Sequence, residues 1–294
     1  MRHDQLRALL AVVEEGTFEA AARRLHVTPS AVSQRIRALE SATGRVVVQR
    51  GTPCRATEAG TVLLRAARQV QLVEQEVAAA LEGPEHGRAV LAVAVNADSL
   101  ATWFRPVLGE AGGWDDAVLR LRVEDQQLTD ALLAKGEVMA AVTEDPVAVS
   151  GCSVRQLGAM RYLPLAVPDL VERFSRDGRV DLAAMPVVDF NAKDALQQEL
   201  LTARGGLRPP VHEVPSSEAF LAAVLAGLGW GMVPEHQLGD ALADGRLVRV
   251  ARGYRDVPLY WQRWRLASAQ LDRLSEAVTG AATGLRRVSA RAPR

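Results

Sequence analysis

The chain is poor in cysteine, in lysine and in long apolar runs, and each shortage removes a class of explanation. Two cysteines in 294 residues, Cys54 and Cys152, cannot build a disulfide framework or a zinc cage. That usage fits a reducing cytoplasm. Lysine occurs only at Lys135 and Lys193, against 33 arginines, a bias of coding composition rather than of chemistry. No stretch approaches the roughly 18 consecutive apolar residues of a membrane-spanning helix. Residues 1–24 are broken by charge and lack both a long apolar core and a small-residue cleavage site, so they do not read as a signal peptide. His3, His26, His86, His212 and His236 are too scattered for an HExxH or HxxxH ligand set. Neither a GxxxxGKS/T loop nor a GxSxG elbow occurs. Gly227, Gly229 and Gly231 mimic a glycine-rich nucleotide loop, but they follow a helical stretch and precede a strand, the wrong order for one. Ser99 has no evident base beside it. No enzyme, metal or cofactor is therefore expected.

What is present is core material. Hydrophobic residues make up 48%, charged residues 24%, and mean hydropathy is +0.01, which describes a soluble globular chain. The length suits two or three domains. The net charge of zero hides an asymmetry: residues 1–60 hold nine arginines and six acidic residues, +3, which leaves −3 for the remainder. A basic head on a slightly acidic body is a weak pointer to nucleic acid.

The head reads as three short helices and a hairpin. Leu6, Leu9, Leu10 and Val13 share one face, and Gly16 stops that helix. Thr17 can cap a second helix striped by Ala20, Ala21 and Leu25. Thr28 or Ser30 can cap a third, with Pro29 in its first turn and Gly44 at its C-terminal end. Residues 45–50 and 55–56 then read as strands around a Gly51-Thr52-Pro53 turn. From Glu58 to Leu81 a helix of about 36 Å is predicted. Leu63, Ala67, Val70, Val77 and Leu81 give it a heptad-like seam, interrupted by Glu74. Such a seam serves either pairing of two subunits or packing on the helix's own domain. Gly83-Pro84-Glu85-His86-Gly87 reads as a linker.

Beyond it strands and helices alternate. Strands are predicted at 90–95, 118–123 and 139–142, with helices at 99–108 and 128–135 between them. A second set has strands at 162–167, 185–189, 211–214 and 230–233, with helices at 195–202 and 218–228. A strand at 258–264 and a helix at 267–285 end the chain. This order implies an α/β fold with a doubly wound sheet, possessing two similar lobes.

A helix, a turn, a second helix and a β-wing form a DNA-docking arrangement. In the third helix Ser30, Ser33, Gln34 and Arg37 share the face opposite Val32, Ile36 and Leu39. Arginine and glutamine each pair with purine edges, and hydroxyls suit phosphates. Arg50 and Arg55 flank the wing turn, within reach of a DNA backbone or minor groove. The same composition also suits an ordinary solvated helix face.

The segment GTFEAAARRLHVTPSAVSQRIRALESATGRVVVQR, followed by ATEAG, closely resembles the winged helix-turn-helix of LysR-type transcriptional regulators. The match runs through Ala21-Ala22, Leu25, Thr28 to Ser33, Ile36, Leu39-Glu40, Gly44 and Thr57 to Gly60. Residues 96–104, Val123-Glu124-Asp125, Gly136-Glu137-Val138, Ser216 to Phe220 and Tyr260-Trp261 resemble the ArgP/LysG subgroup. Similarity extends over residues 2–285.

The resemblance implies an N-terminal winged helix-turn-helix (1–58), a dimerising linker helix and hinge (59–87), and an effector domain of periplasmic-binding-protein type (88–294). Lobe I of that domain would span 88–160 plus 266–294, and lobe II 161–265. It further implies a cytoplasmic, nucleoid-associated homodimer, commonly a tetramer, that binds operator DNA and affects RNA polymerase. It would sense lysine or arginine and control an amino acid exporter gene. Thr17, Thr28, Pro29, Ser30, Ser33, Gln34, Arg37, Arg50, Pro53 and Arg55 are the DNA-contact candidates.

For the effector, ligands of open α/β sheets sit beyond strand C-termini. Ser99, Leu100 and Thr102, at a helix N-terminus, are candidates for the α-carboxylate. Asp98, Glu124, Asp125 and Asp145 are candidates for the distal cation, and Trp103 for flanking its aliphatic stem or stacking on a guanidinium. Asp189, Ser217 and Glu218 are the second-lobe candidates. Helix caps, surface charge and core packing explain the same residues equally simply. An architectural or origin-binding DNA protein, a catalytic α/β domain, and a regulator with another effector remain the alternatives.

Overall fold

The computed structural model describes residues 1–82, 88–123, 126–192 and 194–287. The expected linker at 83–87 and the candidates Glu124 and Asp125 lie outside them.

In the head, helix α1 (His3–Glu15) ends at Gly16, whose φ of 75° is the left-handed turn that favours glycine. Helix α2 (Phe18–Arg24) is capped by Thr17, whose hydroxyl accepts from Ala20 N at 3.1 Å. Helix α3 (Pro29–Thr43) is capped by Thr28, which accepts from Ala31 N at 3.2 Å. These helices close on Leu6, Leu9, Val12, Ala21, Val32, Ile36, Leu39 and Val47. Val12 is fully buried, whereas the predicted Val13 is only half-buried. The wing is an antiparallel pair, β1 (Val48–Gln49) and β2 (Arg55–Ala56). The 45–50 strand is thus two residues long, since only Val48 and Gln49 find partners.

Helix α4 (Glu58–Glu82) starts at a tight junction. Thr57 Oγ1 donates to Val46 O at 2.7 Å and accepts from Gly60 N at 3.1 Å. A Cβ on Gly60 would lie 2.0 Å from Val47 O, so only glycine lets helix and wing approach this closely. Gly60→Ala is expected to destabilise the chain by about 1–3 kcal/mol through overpacking. Thermal denaturation measures it, and a wild-type melting curve would show that the wing shifts freely.

Helix α4 also corrects the predicted seam. Ala67 is buried in the head core and Leu63 packs against it, so neither faces a second subunit. Val70, Val77 and Leu81 are exposed, together with Val62 and Val73, which the heptad reading left out. The seam was misplaced because the head claims the first half of the helix.

The second domain is mixed α/β. Strands β3 (Ala89–Val95), β4 (Ala117–Val123) and β5 (Ala140–Thr143) run parallel, with β3 in the middle. Helices α5 (Ala97–Ala101), α6 (Arg105–Ala111) and α7 (Gln126–Ala134) connect them. The single helix expected at 99–108 is two, separated at residues 102–104. The long strands β6 (Cys152–Ala166) and β13 (Arg255–Trp264) pair antiparallel and run through both lobes. The N-terminal ten residues of β6 were not foreseen. The second lobe adds α8 (Pro168–Arg173), the short pair β7 (Ser175–Arg176) and β8 (Arg179–Val180), β9 (Val187–Asp189), α9 (Leu196–Thr202), β10 (Val211–Glu213), α10 (Ser217–Leu225), β11 (Gly231–Pro234) and β12 (Val248–Arg249). The main sheet runs β11-β6-β13-β5-β3-β4. Helix α11 (Ala269–Ala281) packs back on the first lobe.

The register of the β6–β13 pair shifts between Leu259 and Tyr260. Past that shift, Tyr260–Arg263 pairs with β5. These residues, assigned by sequence to lobe II (161–265), therefore sit in the sheet of lobe I.

Candidate functional site

Candidate side chains fall on two surfaces. The first is the outer face of α3. Ser30, Gln34 and Arg37 are exposed and Ser33 is half-buried. Val32, Ile36 and Leu39 on the opposite face are at most 1% exposed. Arg35 is occupied by Asp4 at 3.6 Å, whereas Arg37 projects into solvent. Thr28 and Pro29 are exposed at the helix start, and Thr17 is half-buried as the cap of α2. On the wing Arg50, Pro53 and Arg55 are exposed, and the Arg50 guanidinium lies 5.4 Å above the Phe18 ring. A basic, hydroxyl-bearing helix face beside an arginine-flanked hairpin has the chemistry to read a duplex groove.

The second surface is a cleft of about 510 Å³ between the lobes. Asp98, at the start of α5, is its focus. Tyr162 Oη donates to Asp98 Oδ2 at 2.8 Å, and Ser217 Oγ donates to Oδ1 at 2.5 Å. Gln237 Nε2 in turn donates to Ser217 Oγ at 2.6 Å. Burial pushes the Asp98 carboxyl up, the two hydroxyls pull it back, and nearby Asp194 pushes it up again, for a net rise. Burial and Asp98 hold the Tyr162 phenol well above its ordinary value, so it stays a neutral donor.

Glu144, Asp194 and Glu199 add carboxylates to the walls, and Arg255 adds a guanidinium. Asp194 is a backbone staple, accepting from Phe190 N at 3.0 Å and Leu196 N at 3.1 Å. Arg255 reaches Glu199 at 3.3 Å. Between the charges stand Phe190, Leu196, Phe220, Met232 and Val257. Among the described lining residues, four carboxylates against one guanidinium, with apolar walls, suit a cationic ligand carrying an aliphatic stem.

Most of the sequence candidates fall elsewhere. Ser99 is fully buried, and its N–H is already taken by Asn96 Oδ1 at 2.7 Å, so the expected anion-binding helix start is closed. Leu100 packs against the core. Thr102 Oγ1 donates to Asp98 O at 2.5 Å and braces the loop. Trp103 is 5% exposed and sits edge-on to Phe104, which makes it core and not a ligand platform. Asp145 caps its own loop by accepting from Val147 N at 2.7 Å, while the adjacent Glu144 lines the cleft. Asp189 is buried behind the wall, holds Gln198 Nε2 at 3.1 Å, and has its carboxyl raised by burial. Ser217 reaches the site through Asp98, and Glu218 pairs with Arg105 at 2.9 Å on the exposed rim. Asn96, Glu144, Tyr162, Asp194, Glu199 and Arg255 were missed. Only the strand-end rule points to Glu144, and nothing local marks Tyr162 or Arg255. Among the described residues no His, Cys, Asp or Glu cluster could hold a metal ion. Among them, too, no helix is long and apolar enough to cross a membrane.

A winged-helix head with a polar, basic helix face, joined by a long helix to a two-lobed domain with an acidic cleft, has the parts of a ligand-responsive DNA-binding regulator. Residues 3–61 match the bacterial regulatory helix-turn-helix protein, lysR family, and residues 84–283 match the LysR substrate binding domain. The lysine export transcriptional regulatory protein LysG of Corynebacterium glutamicum is 47% identical over 286 residues, covering 96% of this chain and 98% of that protein. The full-length structure of that organism's LysG with bound effector Arg superposes with a TM-score of 0.87, at 45% identity, over 98% of this chain and 100% of that one. The crystal structure of ArgP from Mycobacterium tuberculosis gives 0.89 at 48% identity, over 97% and 98%. The chain belongs to the LysR family of transcriptional regulators. It is a DNA-binding regulator and not an enzyme.

Proposed function

We propose that the protein senses a basic amino acid, arginine or lysine, and controls expression of an amino acid exporter. The observation that carries this reading is Asp98, a half-buried ionisable carboxyl at the focus of an acidic, apolar-walled cleft. The arginine held by the related LysG and the lysine-export role in that protein's name support it. Asp98 takes the ligand's cation, the apolar wall takes its stem, and Arg255 takes its α-carboxylate, releasing Glu199 for the ammonium. Ser217 joins the second lobe to Asp98, so a ligand that reorganises this contact favours one lobe arrangement over another.

On DNA, Arg37 and Gln34 read base edges. Ser30, Ser33, Thr28, Pro29, Arg50, Pro53, Arg55 and Thr17 hold or approach the backbone. The exposed stripe Val70, Val73, Val77 and Leu81 on α4 supports pairing into a dimer, which places two recognition helices on one operator. Tetramer formation, contact with RNA polymerase and residence in the cytoplasm follow the same reading.

Arginine or lysine is expected to raise the melting temperature of the full chain, since a ligand that binds only the native state adds RT ln(1 + [L]/Kd). At 100-fold excess over Kd that is about 2.7 kcal/mol. A screen of the twenty amino acids by differential scanning fluorimetry tests this. No shift with either basic amino acid at millimolar concentration overturns the effector assignment.

A further inference from the structure

We propose that Arg65 and Arg68 of helix α4 are the positioning residues through which the ligand cleft biases the DNA-binding head. This rests on the ligand-responsive reading above but is independent of the ligand's identity. Helix α4 belongs to both domains: Leu64 and Ala67 are buried in the head core, while Leu72, 1% exposed, is buried in the core of the effector domain. The two arginines stand between these anchors. Arg65 Nη1 donates to Ser150 O at 2.6 Å, and its Nη2 lies 3.5 Å from Cys152 Sγ. Arg68 Nη1 donates to Gly136 O at 3.0 Å, and its Nη2 donates to Glu14 Oε1 of α1 at 3.5 Å. Glu14 also holds Arg24 of α2 at 2.7 Å, so Arg68 ties lobe I to two head helices at once.

The contact is a fitted one. Gly136 has φ +67°, and a Cβ there would come within 2.7 Å of Arg65 Cα. One turn beyond Leu72, Glu76 accepts from Ser268, the N-cap of α11, which closes the seat of α4 on lobe I.

The chain between these contacts passes through the ligand cleft. From Gly136 it enters β5, and the residue after β5, Glu144, lines the cleft. The loop from Asp145 to Val149 then returns to Ser150. Gln262, fully buried, pins that loop: its Nε2 donates to Asp145 O at 3.3 Å and Val147 O at 2.9 Å, and its Oε1 accepts from Val149 N at 2.9 Å. Residues 136–152 therefore touch the arginines at both ends and the ligand cavity in the middle, with the return arm held rigid. A shift of Glu144 on ligand binding passes along the Gln262-held arm to Ser150 and back along β5 to Gly136. From there it reaches α4 and, through Arg68 and Glu14, α1. Coupling requires such an element with two arrangements that both sites bias.

The test uses full-length Arg65→Met and Arg68→Met, which keep an aliphatic stem on the helix, and Arg65→Lys, which restores one donor. A duplex selected in vitro for wild-type binding serves as DNA. Its affinity is measured without and with saturating L-arginine, and arginine affinity by calorimetry without and with the duplex. For the wild type the two affinities should change by one common factor, about 5- to 150-fold for typical couplings. Each Met variant should bind arginine alone and DNA alone within threefold of wild type while that factor falls below two. Arg65→Lys should recover part of it. Met variants that retain the wild-type factor overturn the proposal.

A second readout does not involve arginine. Duplex binding should change amide hydrogen exchange across residues 136–152 in the wild type and leave it unchanged in Arg65→Met. No change in the wild type also overturns the proposal. Absence of arginine binding with this exchange response intact would instead defeat the basic-amino-acid reading alone.

Discussion

Asp98→Asn is expected to weaken arginine or lysine binding by about 30-fold to several thousandfold, the 2–5 kcal/mol that loss of one partner costs a buried hydrogen-bonded charge pair. The fold should survive. Tyr162 and Ser217 present hydroxyls, and a hydroxyl can turn from donor to acceptor to meet the new amide. The variant also removes a carboxyl that burial disfavours in its charged form, so melting of the ligand-free protein should be unchanged or higher. The pH dependence has a definite sign. A carboxyl raised in the native state favours folding below its unfolded pKa of about 3.9, and that contribution is lost as pH rises through the native value. A cationic ligand prefers the carboxylate, so binding lowers the Asp98 pKa and releases a proton. Affinity should therefore climb as pH rises across that window and level off above it. Calorimetry at several pH values, in buffers of different ionisation enthalpy, measures both effects. Wild-type affinity in the Asn variant would move the cation's partner to Glu144 or Glu199.

On the DNA side, Arg37→Ala should cost about 1–3 kcal/mol on a specific site, roughly 5- to 150-fold, and relax preference at one base pair. Arg37 projects from the middle of α3 with Ile36 beside it buried, so the helix itself is unaffected. Arg50→Ala, at the wing, should instead weaken specific and random duplexes alike. It should also reduce the slope of log K against log salt by about 0.9, the signature of one lost phosphate contact. Mobility-shift titrations over a salt series separate the two. Equal losses for Arg37→Ala on both duplexes would remove its base-reading role.

These two surfaces differ in how far they could be read in advance. The head was legible because its signals act over a few residues. Thr17 and Thr28 cap amides three positions on, Gly16 and Gly44 take the left-handed turn that ends a helix, and Val32, Ile36 and Leu39 repeat at helical spacing. Among the described candidates, Ser217 reaches the cleft by holding the one that lines it, Asp98. Its neighbours Ser99 and Trp103 have the residue types of a binding site, but the fold buries one beneath Asn96 and packs the other on Phe104. Residues that do line the cavity, such as Tyr162 and Arg255, sit in strands whose pairing is long-range.

The same division holds for α4. Its length and amphipathic character follow from spacing alone. Which apolar residues it buries against its own head, and which it leaves for a partner, depends on where Leu64 and Ala67 dock. Local chemistry in the chain decided where helices begin and end, which face of α3 stays polar, and the family to which the protein belongs. Folding in three dimensions decided the chemistry of the cleft. Asp98 meets Tyr162 across 64 residues and Ser217 across 119, and contacts so distant arise only once the lobes have closed their shared sheet.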